Sequence, residues 1–172
     1  MSPGLSQEPN QFARRNPQSA IVIIGIGNAF GGDDAVGLVV ARMLKEKALP
    51  GVRIVEASGE ATSLIEVWKG ADTVILIDAV RSGARPGTIY RVEAHAEPIP
   101  ARFEHHSTHA LGVVEAIELA RTLSRLPPRV ILYGIEGKNF AVCTDLSQEV
   151  RAAAADVAAR IADEVRRYAR QV

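Results

Sequence analysis

The chain has 172 residues, with 20 Lys and Arg against 20 Asp and Glu, 47% apolar side chains and one cysteine. That length makes one domain whose hydrophobic core needs no covalent staples, and the lone Cys143 excludes an internal disulfide framework and a cysteine-built zinc cluster. Zero formal net charge leaves no electrostatic footprint for nucleic acid or for a membrane surface. No apolar run approaches the roughly 20 residues of a spanning helix, and the N-terminus has no apolar signal region. The expectation is a soluble, cytoplasmic protein with neither nucleic acid nor membrane as a partner.

Residues 1–18 are mostly polar, carry Pro3, Pro9 and Pro17, and show no apolar period. They read as a disordered leader before a single α/β domain over residues 19–172. Ala20 to Ile24 is an unbroken, largely β-branched run, the pattern of a strand buried on both faces. A glycine-rich loop, Gly25 to Asp34, leads into a helix predicted from about Ala35 to Glu46, with Val36, Val39, Val40 and Met43 on one stripe. Val52 to Ala57 is the second strand. Thr62 or Ser63 is the expected cap of a short helix that turns Leu64, Ile65 and Trp68 inward.

Thr73 to Ala79 is another apolar run, this one ending near an acid, Asp78. Arg85-Pro-Gly87 signals a turn, and Thr88 to Val92 alternates as an edge strand. From Ala94 to His106 the chain is irregular, after which Ser107-Thr108 offers a cap for a helix reaching about Leu123. Pro127-Pro128 stops that helix and Val130 to Ile135 is a further buried strand. Asp145 to Gln148 resembles a capping box opening the last helix, whose stripe is Val150, Ala154, Val157, Ile161, Val165 and Tyr168. The order β-α-β-α-β-β-α-β-α predicts a three-layer α/β fold. It has a mostly parallel, twisted sheet of about five strands with helices on both faces.

Sites in such sheets form outside the carboxyl ends of the strands. The loop Gly25-Ile-Gly-Asn-Ala-Phe-Gly-Gly-Asp-Asp34 lies there, as do Asp78, His109 and Glu136. Gly25 and Gly27 resemble the start of a dinucleotide fingerprint, with Glu56 where a ribose-binding acid would stand. Phe30 replaces the third glycine, however, and Asp33-Asp34 would repel phosphate at the helix start. Asp33 and Asp34 also suit plain helix capping, and Asp78 suits a bond to the next loop's amides. His109 suits a cap in the first turn of its helix, where the dipole favours neutral imidazole, and His105 and His106 suit solvent. Taken together, two carboxylates and one imidazole from three loops form an O/O/N set that fits nickel, zinc or manganese.

The same residues carry a family resemblance. Gly25-Ile-Gly-Asn28 followed by Asp33-Asp34-Ala-Val-Gly37 resembles the N-terminal signature of the hydrogenase maturation endopeptidases. Ile77-Asp78-Ala79, Ser107-Thr-His109-Ala-Leu-Gly112 and Tyr133-Gly-Ile-Glu136 resemble their later motifs, in the family's order, across about Ile21 to Glu164. The resemblance implies an endopeptidase that trims the C-terminal extension of the large-subunit precursor of a nickel–iron hydrogenase. It implies that Asp34, Asp78 and His109 contact nickel belonging to the substrate rather than held permanently, with no organic cofactor. Asp34, Asp78 or Asp33 is then the expected general base, and Gly25, Gly27, Asn28 and Glu136 the expected substrate loop. Two motifs depart from the family: Asp34 stands where Glu is frequent, and Ser58-Gly59 where paired glycines are frequent.

No Gly-x-Ser-x-Gly elbow or cysteine–histidine spacing is present, which disfavours a covalent serine or cysteine mechanism. Two other classes remain open at this point: a nucleotide- or phosphate-binding module, and a non-catalytic chaperone of the precursor.

Overall fold

A computed structural model describes residues 21–103 and 112–169. The leader over residues 1–18, together with His105, His106, Ser107, Thr108 and His109, therefore lies outside the described residues. Five strands form one sheet: β1 (Ile21–Ile26), β2 (Val52–Ala57), β3 (Thr73–Val80), β4 (Ile89–Val92) and β5 (Arg129–Glu136), in the order β2-β1-β3-β5-β4. The pairs β1/β2, β1/β3 and β3/β5 are parallel, and β4 runs antiparallel on the edge. The helices are α1 (Val36–Glu46), α2 (Ala61–Val67), α3 (Val113–Thr122) and α4 (Gln148–Ala169). The mostly parallel α/β sheet that the strand order predicted is present.

Strand parity sorts the core into two layers. Val22, Ile24, Val74, Leu76, Val130 and Leu132 pack under α2 and α3, joined by Trp68 and Ile117. Ile23, Ile75, Ile77, Ile131 and Ile135 pack under α1 and α4, joined by Val40, Leu44, Val157 and Ile161. Most of these side chains are fully enclosed, and each contributes about 1.5–3 kcal/mol of burial free energy. Because both faces are covered, the central strands read as continuous apolar runs, with no alternation to mark a face. No helix among the described residues is long and apolar enough to cross a membrane.

Three helix starts differ from expectation. The cap of α2 is Glu60, whose carboxylate accepts from the backbone N–H of Thr62 at 3.1 Å and of Ser63 at 2.9 Å. Glu reaches back as Ser or Thr would, and the two hydroxyls predicted as caps instead donate to it. Helix α3 starts at Val113, with Gly112 as its cap and the Glu115 carboxylate accepting from Gly112 N–H at 2.8 Å. Helix α4 starts at Gln148 rather than at Asp145, because Ser147, just ahead of it, is held by an acid from the first loop.

Candidate active site

The carboxyl ends of β1, β3 and β5 share one edge of the sheet, and the start of α1 is pressed against it. A Cβ on Gly37 would stand 2.2 Å from Ile26 O and 2.3 Å from Ile77 O, and one on Gly25 would stand 2.1 Å from Gly37 O. Two backbones thus meet where no side chain fits. A 3-10 turn over Gly32–Ala35 precedes α1 and packs on β3, which carries Asp34 to the strand end that holds Asp78. Gly25 accordingly serves packing. Gly27 does too, because a Cβ there would meet Asp34 O at 2.0 Å. Asn28 is exposed, and its Oδ1 accepts from Phe30 N–H at 3.0 Å.

Asp34 is buried at 8% exposure. Asp78 is part-buried on the α2/α3 face, where its Oδ1 accepts from the Ala79 N–H at 2.9 Å. Burial pushes the Asp78 carboxyl up to about 7, the nearby charge of Asp34 pushes the same way, and the Ala79 amide pulls it back. The carboxylate of the turn before α1 and that of β3 thus lie close enough for one charge to act on the other. Gly134, in register with Asp78 on β5, has no side chain, and the Phe103 ring takes the space: a Cβ on Gly134 would lie 2.5 Å from Phe103 Cε1. His109 itself lies outside the described residues.

Asp33 behaves differently from its neighbour. It is fully buried, and its carboxylate accepts from the N–H groups of Lys138, Asn139 and Ser147, each at 2.7 Å, and from the Ser147 hydroxyl at 2.9 Å. Burial pushes this carboxyl up, but the bonds from Asn139, Ser147 and Lys138 outweigh it and hold the group below 3.8. Such an acid is an ionised anchor that ties the loop between β5 and α4 to the first loop. Glu136 anchors in the same way. At 1% exposure it accepts from Ser82 N–H and Gly83 N–H, both at 2.9 Å, and from the Ser82 hydroxyl at 2.7 Å. Ser147, Ser82 and the amides of residues 138 and 139 escaped sequence reading, because partners so distant in the chain leave no local signal. Among the described residues no three His, Cys, Asp or Glu side chains come together in a metal-ligand group.

The hydrogenase maturation protease family model matches residues 38–164, most of the chain. A hydrogenase expression/formation protein, HoxM of Cupriavidus necator, is 27% identical over 151 residues, covering 86% of this chain and 75% of that one. Protein FrxA of Pyrococcus furiosus is 31% identical, covering 71% and 88%. The chain spans only 56% of the length of HupD of Thiocapsa roseopersicina, at 28% identity. Among solved structures, the hydrogenase maturating endopeptidase HybD of Escherichia coli superposes with a TM-score of 0.74 over 86% of this chain and 93% of that one, sharing the fold at 22% identity. The maturation protease HycI of Thermococcus kodakarensis gives 0.66 at 27% identity, over 85% and 92%. The chain belongs to the hydrogenase maturation protease family.

Proposed function

We propose that this protein is an endopeptidase that removes the C-terminal extension of a nickel-loaded nickel–iron hydrogenase large-subunit precursor in the cytoplasm. The observation that carries this reading is the convergence of Asp34 and Asp78 at the carboxyl edge of the sheet, in a chain of this family. On this reading Asp34, Asp78 and His109 meet nickel that arrives with the precursor. The metal acts as a recognition element: a precursor without it lacks the bond that docks its cleavage site, and discrimination is that difference in affinity. Asp34 or Asp78 accepts a proton from the water that attacks the scissile carbonyl. The peptide bond breaks, and the leaving amine takes up a proton. Asp33 has no share in this chemistry, because four donors already occupy its two oxygens. The glycines that suggested a nucleotide site are accounted for by the packing of α1 on β1 and β3.

The test is the intact mass of a cognate precursor after incubation with this protein, with and without nickel. A nickel-dependent loss of a C-terminal peptide is the expected outcome. A stable complex holding uncut, loaded precursor would establish a chaperone instead.

A further inference from the structure

The end of the sheet opposite Asp78 holds a second polar construction. There Arg129 opens β5, five residues before Gly134, which is the partner of Asp78. At strand rise that separation is about 17 Å. A cavity of about 590 Å³ lies between β4, β5 and the second half of α4, and four arginines line it: Arg91, Arg129, Arg160 and Arg167.

Arg91 is paired with Glu164 and with Glu93, at 2.6 and 3.0 Å, and Arg160 with Asp156, whereas Arg129 and Arg167 form no ion pair among the described residues. Glu164 is buried at 7% exposure, and its carboxylate is consumed by Arg91 Nη2 at 2.6 Å, the Tyr168 hydroxyl at 2.6 Å and the Tyr133 hydroxyl at 2.9 Å. Asp163 pairs with Arg166, on the exposed side of α4, at 3.0 Å. Arg160 meets only the exposed Asp156, one turn away, and Arg167 Nε reaches the backbone oxygen of Asp163 at 3.3 Å. Arg129 lies with its Cζ 4.4 Å from the centre of the Tyr168 ring, and its buried Nε has no acceptor among the described residues. A guanidinium beside a ring and without a carboxylate partner keeps its terminal N–H groups for an oxyanion.

We propose that this cavity is a binding site for a phosphate-bearing small molecule, at the end of the sheet away from Asp34 and Asp78. Guanidinium groups outnumber the carboxylates in the wall, Arg129 and Arg167 pair with no carboxylate among the described residues, and the volume is that of a small-molecule site rather than of one ion. Arg129 contributes a guanidinium that no carboxylate neutralises among the described residues. Arg160 and Arg167 supply positive charge from α4, while Arg91 is kept in place by Glu164.

Inorganic phosphate and pyrophosphate titrated calorimetrically into the full chain, at constant ionic strength, test the site. Saturable binding is expected, with pyrophosphate the tighter ligand, and weakened about tenfold or more in Arg129→Gln. Arg160→Gln alters a half-exposed side chain on the helix surface and keeps the fold, so it separates loss of the site from loss of structure. It too should weaken binding. Absence of saturable binding overturns the proposal, as does wild-type affinity in both variants. Binding of citrate without phosphate overturns the phosphate assignment.

Discussion

Asp33 and Ser147 stand 114 residues apart in the chain and are bonded twice, the Ser147 N–H to Oδ1 at 2.7 Å and its hydroxyl to Oδ2 at 2.9 Å. This pair of hydrogen bonds closes the loop before α4 onto the loop before α1. It also fixes the sense of the pH response. The Asp33 carboxyl is held below its ordinary 3.8, so its stabilisation is complete above that value and is lost as pH falls through the lowered one. Asp33→Asn turns an amide NH₂ toward donors and should cost about 2–4 kcal/mol at neutral pH. Urea unfolding at neutral pH and below 3.8 checks both claims: the variant should lose stability at neutral pH, and its deficit should shrink in acid.

Asp78 gives a slope of the opposite sign. Its carboxyl is raised from 3.8 to about 7, so between those values the folded chain holds a proton that the unfolded chain has released. Stability must fall as pH rises through that window. In chelator-treated protein, Asp78→Asn should flatten this part of the profile. Asp34→Asn should shallow it, because the Asp34 charge is the second cause of the shift. Equal slopes in wild type and Asp78→Asn would show that the strand end is wetter than its packing indicates.

Elements with a local cause were legible and those with a distant cause were not. Val52–Ala57 stands as a strand with the bounds its composition predicts, and Thr88 to Val92 was readable as an edge strand from its alternation. Asp33 and Asp34 are adjacent and alike in sequence, and only the tertiary fold separates them. One is bonded to the amides of residues 138, 139 and 147, while the charge of the other acts on Asp78. Glu136 was placed correctly at the site edge of the sheet, but its bonds to Ser82 and Gly83 make it a brace. The start of α4 moved from Asp145 for the same reason, since Ser147 answers to an acid from the other end of the chain.

Gly37→Ala probes the contact that positions Asp34. Its new methyl would lie 2.2 Å from Ile26 O and 2.3 Å from Ile77 O, both backbone atoms that cannot rotate away. The helix must retreat from the sheet at a cost of about 3 kcal/mol, a fall in Tm on the order of 10 °C. Thermal unfolding followed by circular dichroism measures it. A change of under one degree would mean that α1 can slide without loss.

Glu136→Gln should act locally. Three donors converge on that carboxylate, two of them the backbone N–H groups of Ser82 and Gly83. Both N–H groups meet the same oxygen, Oε1, which an amide can also supply. The variant loses the charge that strengthens those two bonds and the acceptor of the Ser82 hydroxyl, worth about 1–2 kcal/mol. Hydrogen exchange at the amides of residues 82 and 83 should accelerate, while protection in α4 stays unchanged. Unaltered exchange at those two amides would remove Glu136 from the bracing of that loop.

Asp34→Asn and Asp78→Asn separate chemistry from architecture. Asp78→Asn removes a carboxyl whose ionised form burial and the Asp34 charge disfavour, so it should not lower stability at neutral pH in the way Asp33→Asn does. Under the proposed endopeptidase reading, both Asp34→Asn and Asp78→Asn should reduce cleavage of a nickel-loaded precursor by about two orders of magnitude or more, the range for losing a positioned acid or base. Asp33→Asn is the necessary comparison: its cleavage should fall only as far as its folded fraction falls. Mass spectrometry of the precursor, normalised to folded enzyme by denaturant titration, gives all three values. Full cleavage by both Asp34→Asn and Asp78→Asn would make the pair structural and leave the proteolytic chemistry to residues outside it.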